Sequence, residues 1–454
     1  MKTVVCVKVS NGELNPFDEC ALEAALEIQN NNITVLCMGP KSAAPMLERL
    51  TRLGVDRVIL ACDNVYAGSD TLATSYVLKK CIEKLEYDAV FCGRQTTDGD
   101  TAQVGPCLAT LIGIKPITNV MSISVQQNSI DGETRTNTFS ENYPVLLTFE
   151  RINTLRFPSI RSKAHSIEVW DNSVICADTS KCGLNGSPTK VIKVFESKTG
   201  RRKCKFITKD EFLPLIEKIK AEPDIQPEAE NITNTVKLDL AWAIGEKVYG
   251  KALQIAKKAE LIQQTDPYEI AKLIQEKNPP VVLWNADLDG RKNAPIAAAL
   301  LKTGLCADCT ALETDGKKLY MYRPAKCGNI TAKIKCDTLP QMATVRTDTK
   351  SGNIIVSAGR GVYKKIDAVK SLAQSLGAEF GASRALVDMG YAPYANQVGL
   401  TGKNVNPKIY IAIGISGAVH HTVGIENAKT VIAINPDKGA RIFEYADYGI
   451  IDEF

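Results

Sequence analysis

The sequence predicts an α/β protein built on doubly wound parallel sheets, and three observations lead there. Short apolar runs recur at residues 3–9, 33–38, 57–61 and 89–92, with helix-period segments between them. The last hundred residues restart the same rhythm after an irregular, more β-rich middle. At 454 residues the chain is too long for one ordinary core, so two or three domains are expected.

The first sheet follows element by element. Helical patterns lie at residues 18–30, 41–53 and 71–85, with a fourth at 101–112. Gly54 closes the second and Asp70 opens the third, as stop and start signals do. Strand–helix alternation implies right-handed crossovers and an open sheet. Beyond residue 118 the runs shorten, with extended segments at 120–125, 134–138 and 145–149. Residues 221–231 hold two prolines, four acids and little to bury, which reads as a linker. After it, residues 236–277 read as mostly helical and 280–285 as a strand. Strands at 353–357, 379–382, 409–413 and 431–435, with a helix at 365–376, complete the chain. The expected division is 1–220, a linker 221–235, then 236–350 and 351–454.

Composition narrows the class. Hydrophobic residues are 44%, charged residues 23%, and the net charge is +4. That balance suits a soluble globular protein and offers no reason to expect nucleic acid or an anionic membrane as partner. The start reads as a buried strand rather than a signal peptide, and no eighteen apolar residues run together. Fourteen cysteines lack a framework spacing, which suits a reducing cytoplasm. Cys306 and Cys309 have no second pair at ligand spacing, so two unlinked thiols are expected. With His165, His420 and His421 as the only histidines, no metal centre is expected.

Ligands of open α/β sheets sit beyond the carboxyl ends of the strands. In the first sheet this selects residues 10–18, 38–40, 63–71 and 93–105. In the last region four strands lead into Gly359-Arg360-Gly361, Gly381-Ala382-Ser383-Arg384, Gly414-Ile415-Ser416-Gly417 and Asn435-Pro436-Asp437. Each is weak alone, since a Gly-Arg-Gly turn is usually only a turn and Ser383 would ordinarily cap a helix. Four on one edge make a dinucleotide crevice, in which Arg360 and Arg384 would face a pyrophosphate or an anionic ring. Rival motifs fail: 414–418 ends in Ala418 where a nucleophile elbow has Gly, and 399–404 lacks the P-loop glycine interval.

Several runs carry a family resemblance. Gln397-Val398-Gly399-Leu400-Thr401-Gly402, residues 409–421 ending in His420-His421, Ala433-Ile434-Asn435, Ala446-Asp447-Tyr448-Gly449 and the 381–385 run resemble the flavin-binding domain of the electron-transfer flavoprotein α subunit. Residues 307–310, Arg323-Pro324-Ala325 and 340–346 resemble that subunit's N-terminal domain. Asn15-Pro16-Phe17-Asp18, Met38-Gly39-Pro40, residues 98–106 and 155–161 resemble the β subunit. The chain is therefore identified as a member of this family, with β and α fused in that order.

The resemblance implies FAD in the C-terminal domain, held by Arg360, Gly361, Ser383, Arg384, Gln397 to Thr401 (with Val398, Gly399 and Leu400), Ser416, Gly417, Ala418, Val419, His420, His421, Asn435 and Asp447. Arg384 and His421 would stabilise negative charge at the flavin's N1–C2 edge, and Thr401 would bond near N5. Leu400 replaces the family's usual Gln, and His420 stands where Gln is common. The β-like half would hold AMP or a second FAD, with Cys6, Asn15, Asp18, Met38, Gly39, Thr71, Thr74, Arg94, Thr97, Asp98, Gly99, Asp100, Thr101, Ala102, Gln103 and Val104 around it. The 98–106 run resembles electron-bifurcating members, found in anaerobic metabolism, which take hydride from NADH at a second FAD. They divide the electrons between ferredoxin or flavodoxin and an acyl-CoA dehydrogenase. Two departures stand against that reading: residues 10–14 make a short loop, and 236–277 is short for its sheet. The fusion implies a monomeric pseudo-heterodimer. Alternatives are a carrier with FAD plus structural AMP, or a nucleotide-binding regulatory protein.

Overall fold

The computed structural model describes residues 1–196, 202–221, 236–326, 330–347, 352–399 and 401–454, so residues 222–235 of the expected linker and Leu400 lie outside the described residues. The chain forms two compact units: Met1–Phe195 with Thr233–Lys326 and Ala332–Arg346, and Glu196–Ile232 with Cys327–Thr331 and Thr347–Phe454.

The first unit contains one topology twice. Its N-terminal sheet places Asn32–Met38, Lys2–Val7, Ala89–Gly93, Val145–Phe149 and Lys115–Val125 side by side and parallel, a 2-1-3-5-4 order. The second sheet places Ala256–Ile262, Leu238–Ile244, Val281–Asn285, Gln341–Val345 and Leu305–Cys309 in the same 2-1-3-5-4 order, again parallel. In both, a helix joins the third strand to the fourth: Val104–Ile112 in one, Leu288–Leu301 in the other. The N-terminal copy adds the strands Arg57–Ala61 and Glu168–Trp170 beyond Asn32–Met38. In the second copy Ala256–Ile262 leads straight to the helix Pro267–Lys277, so that edge is trimmed.

Strand burial explains the architecture. Val5, Phe91 and Leu147 face a core shared with helix Pro16–Leu26, whereas Val4, Val90 and Leu146 face helices Thr71–Ile82 and Val104–Ile112. A strand apolar on both faces needs helices on both sides, which is the doubly wound solution.

Two expectations need correction. Residues 236–277 are not mostly helical: the strands Leu238–Ile244 and Ala256–Ile262 alternate with the helices Glu246–Ile255 and Pro267–Lys277. Ala256–Ile262 is an edge strand with exposed Lys257 and Lys258, so it lacks the apolar run of a central strand. The helix expected from residue 101 begins at Val104, because Asp100 (φ 51°) and Ala102 (φ 54°) are left-handed.

The second unit holds a six-stranded parallel sheet ordered Lys205–Phe206, Tyr448–Ile450, Thr430–Ile434, Ile409–Ile413, Ile354–Ala358, Glu379–Ala382. Counted from Ile354–Ala358 its last five strands follow the flavodoxin-like order 2-1-3-4-5. Lys205–Phe206 and the helix Lys209–Ala221, assigned above to the 1–220 region, join this unit: Phe212, Ile216 and Ile219 pack into its core.

Candidate functional site

A cavity of about 1150 Å³ opens at the carboxyl ends of the N-terminal strands. Its position is the switch point where the order passes from the first strand to the third. Cys6, Asp18, Met38, Gly39, Thr71, Thr74, Arg94, Gly99, Thr101, Ala102, Gln103 and Val104 line it, as the sequence places them. Tyr66 from the selected 63–71 segment lines it too, and so do Lys8, Lys41, Leu305, Cys306 and Arg323, which sequence reasoning does not select. Arg323 lies in a run read for resemblance alone, and only the second copy's fold brings it here.

Four of the expected residues brace the cavity instead of lining it. Asn15 Nδ2 donates to the Gln95 carbonyl (2.9 Å) and its Oδ1 accepts from the Thr97 N–H, which stitches the first helix to the 94–103 loop. Asp98 pairs with Lys8 at 2.6 Å, and Arg323 Nη2 donates to the Asp100 carbonyl at 3.1 Å. Neither Asp98 nor Thr101 caps the helix, whose first residue Val104 faces the cavity with open backbone N–H groups. Thr71 Oγ1 donates to Gln103 Oε1 (2.8 Å), and Gln103 Nε2 donates to the Leu305 carbonyl (3.3 Å).

Charge around the cavity is uneven. The Arg94 guanidinium is bonded to the fully buried Glu150 at 2.8 Å, and Arg135 shares that one carboxylate, so the trio keeps a net positive charge. Arg323 is buried, its guanidinium bonded to the Asp100 carbonyl, and no carboxylate pairs with it among the described residues. Asp18 is held by N–H groups of Lys8 (2.7 Å) and Gly93 (3.1 Å). Burial nevertheless pushes its carboxyl up to about 7, against those bonds and Asn15. Lysine and arginine side chains lining a crevice of this size, with a helix start in its wall, suit a phosphorylated nucleotide.

The second unit gathers its loops at the equivalent edge. Strand Ile354–Ala358 leads to Gly359–Gly361, and Ile409–Ile413 leads to Gly414–Gly417. A Cβ at Gly359 would stand 2.2 Å from the Gly414 carbonyl oxygen, so glycine alone permits these turns to touch. Gly399 lies against His420, which draws the 397–403 loop onto the short helix Val419–Thr422. Arg360, Gly361, Ser416, Ala418 and His420 are exposed along this edge, while Val398, Gly417, Val419 and Asn435 form its inner side. Asn435 Nδ2 donates to the Ile415 carbonyl at 2.9 Å.

Several buried polar atoms here have no partner among the described residues. Ser383 Oγ caps nothing, Gln397 Oε1 receives no bond, and His421 Nδ1 finds no well-formed contact. Gln397 Nε2 donates to Thr401 Oγ1 at 2.7 Å, so the Thr401 hydroxyl retains a proton to give. Native proteins rarely leave such groups unpaired. Burial depresses His421 to about 4, so its ring, bonded through Nε2 to the Tyr410 hydroxyl at 2.9 Å, is neutral at pH 7 as it stands. Arg384 Nε contacts Asp388 Oδ2 at 3.2 Å. These residues fit a ligand with both donors and acceptors, and FAD would supply the redox-active ring. Asp447 is a correction: it accepts from Arg202 and from the Val431 N–H (2.8 Å), at the amino end of its strand and away from the other loops. The carboxyl end of Tyr448–Ile450 leads to Asp452 instead.

Comparison with known proteins decides the family. The electron transfer flavoprotein domain matches residues 3–174 and 254–370, and the electron transfer flavoprotein FAD-binding domain of the α type matches residues 348–426. The chain belongs to the electron transfer flavoprotein family. It is 41% identical to the α subunit of Thermoanaerobacterium thermosaccharolyticum, over 40% of this chain and 70% of the relative. It is 40% identical to the β subunit of Megasphaera elsdenii, over 42% of this chain and 78% of the relative. It is 34% identical to the acryloyl-CoA reductase electron transfer subunit beta of Anaerotignum propionicum, over 41% and 72% respectively. Both subunit types thus meet in one polypeptide. Among the described residues no helix is long and apolar enough to cross a membrane.

Proposed function

We propose that this flavoprotein carries two FAD molecules, takes hydride from NADH at the N-terminal one, and bifurcates the electrons. One electron path would run to ferredoxin or flavodoxin, the other through the C-terminal FAD to an acyl-CoA dehydrogenase. The observation that carries the proposal is the N-terminal cavity: about 1150 Å³ is generous for AMP, and its walls continue past the helix start to Arg323 and Cys306. AMP ends at one phosphate, whereas FAD needs room for a second phosphate and a ring. Similarity to the acryloyl-CoA reductase electron transfer subunit beta supports an acyl-CoA-type partner.

A docking element for that partner is supported by residues 151–167. Phe157 is 96% exposed and Ile160 98% exposed, with Arg156 pinned to Glu23 at 2.7 Å beside them. Large apolar side chains held out in water serve as anchors for a second protein surface. The experiment is anaerobic NADH titration of FAD-loaded protein. Bleaching of both flavins supports the proposal; reduction by dithionite but not by NADH counts against it.

A further inference from the structure

The second copy of the 2-1-3-5-4 sheet has a cavity of its own. It measures about 1180 Å³ and lies at the carboxyl ends of Leu238–Ile244, Ala256–Ile262 and Val281–Asn285. That is the switch point equivalent to the one occupied by the N-terminal cavity, since in each sheet the first and third strands are neighbours and diverge there. Nothing in the proposed electron path uses it.

Its wall is built for hydrogen bonding. Trp284 is 2% exposed, and its indole N–H has no acceptor among the described residues. Asn285 Oδ1 and Asn293 Oδ1 receive no hydrogen bond from the described residues, although Asn293 Nδ2 is fixed on the Thr265 carbonyl at 3.2 Å. All three residues line the cavity. Gly245 (φ +101°) makes room for one of them: a Cβ there would lie 2.4 Å from Asn285 Nδ2. Unpaired buried polar groups of this kind cost stability unless a ligand or water completes them.

Its charge differs from that of the N-terminal cavity. Glu246 and Asp289 line it with no cation paired to either among the described residues; of its two lysines Lys115 is already paired with Glu141, and Lys292 lines the wall as well. Asp287 is spent on the helix start, where Oδ1 accepts from the Gly290 N–H at 2.9 Å. Carboxylates at such a mouth repel phosphate and accept the hydroxyls of a ribose. Asparagine carbonyl oxygens accept from the exocyclic amine of adenine, and an indole N–H donates to a ring nitrogen.

We propose that this cavity binds an adenine nucleoside lacking phosphate, at a site separate from both flavin positions. The test is calorimetric titration of adenosine and of AMP into the flavin-loaded full chain, as wild type, Trp284→Phe and Asn293→Ala. Adenosine is expected to bind one per chain and about tenfold more weakly in each variant, with flavin content unchanged. AMP is expected to bind at least tenfold more weakly than adenosine. If Trp284→Phe does not fold, Asn293→Ala, on a half-buried helix position, decides alone. Absence of saturable adenosine binding, equal affinity in wild type and the folded variants, or AMP binding as tightly as adenosine would overturn the proposal.

Discussion

The Gly93 N–H donates to Asp18 Oδ1 at 3.1 Å, joining the end of the third N-terminal strand to the first helix. The same carboxylate accepts from the Lys8 N–H through Oδ2, so one side chain ties three strand and helix ends at the cavity floor. A Cβ at position 93 would stand 2.2 Å from Asp18 Oδ1. Gly93→Ala should therefore open the floor and lower nucleotide retained in the N-terminal cavity at least tenfold, leaving C-terminal flavin intact. Site-resolved cofactor analysis checks this; full retention at both sites would contradict it.

Asp18 and His421 predict opposite pH effects on stability. The Asp18 carboxyl, raised to about 7, holds its proton in the folded state between its unfolded value and pH 7, so its contribution is lost as pH rises through that window. His421, depressed to about 4, stays neutral when folded while the unfolded chain gains a proton, so stability falls as pH drops from about 6.5 toward 4. Both act on the limb of Tm against pH between about 4 and 7: Asp18→Asn should remove a loss of stability as pH rises through it, and His421→Gln a loss as pH falls through it. Unchanged limbs in both variants would show that these groups do not govern the profile.

Arg384 stands at the first position of its helix beside Ser383, on the edge that would meet the flavin. Removing a positive charge near a ring that gains negative charge disfavours the first electron. Arg384→Ala should lower the first one-electron potential of the C-terminal flavin by tens of millivolts, about 60 mV for a tenfold change. Potentiometry reads this, and a shift below about 10 mV would remove Arg384 from the role.

Phe157 and Ile160 should carry partner binding. Phe157→Ala is expected to raise the KM for the acceptor dehydrogenase about tenfold with flavin spectra and Tm unchanged, as loss of an interface anchor does. Unaltered transfer kinetics in Phe157→Ala and Ile160→Ala together would move the docking surface elsewhere.

The central strands of the N-terminal and C-terminal sheets are legible in the sequence because a strand buried on both faces is a continuous apolar run. Residues 4–7 and 409–413 are of this kind, and such a run needs no knowledge of its neighbours to be read. Ala256–Ile262 is not legible in that way, since an edge strand with exposed lysines carries no such run. The loops that line the N-terminal cavity follow from strand ends alone. Arg323 does not, because its approach depends on contacts between segments more than two hundred residues apart, as its bond to the Asp100 carbonyl shows. At Asp447 the motif marks the right strand but the wrong end of it. Asn15, Thr97 and Asp98 carry a real signal, yet their task is to brace the site.

Cofactor stoichiometry tests the account most directly. Protein incubated with excess FAD, freed of unbound flavin and extracted with acid should release close to two FAD per chain. One FAD accompanied by one AMP would contradict the second flavin and, with it, hydride entry at the N-terminal cavity.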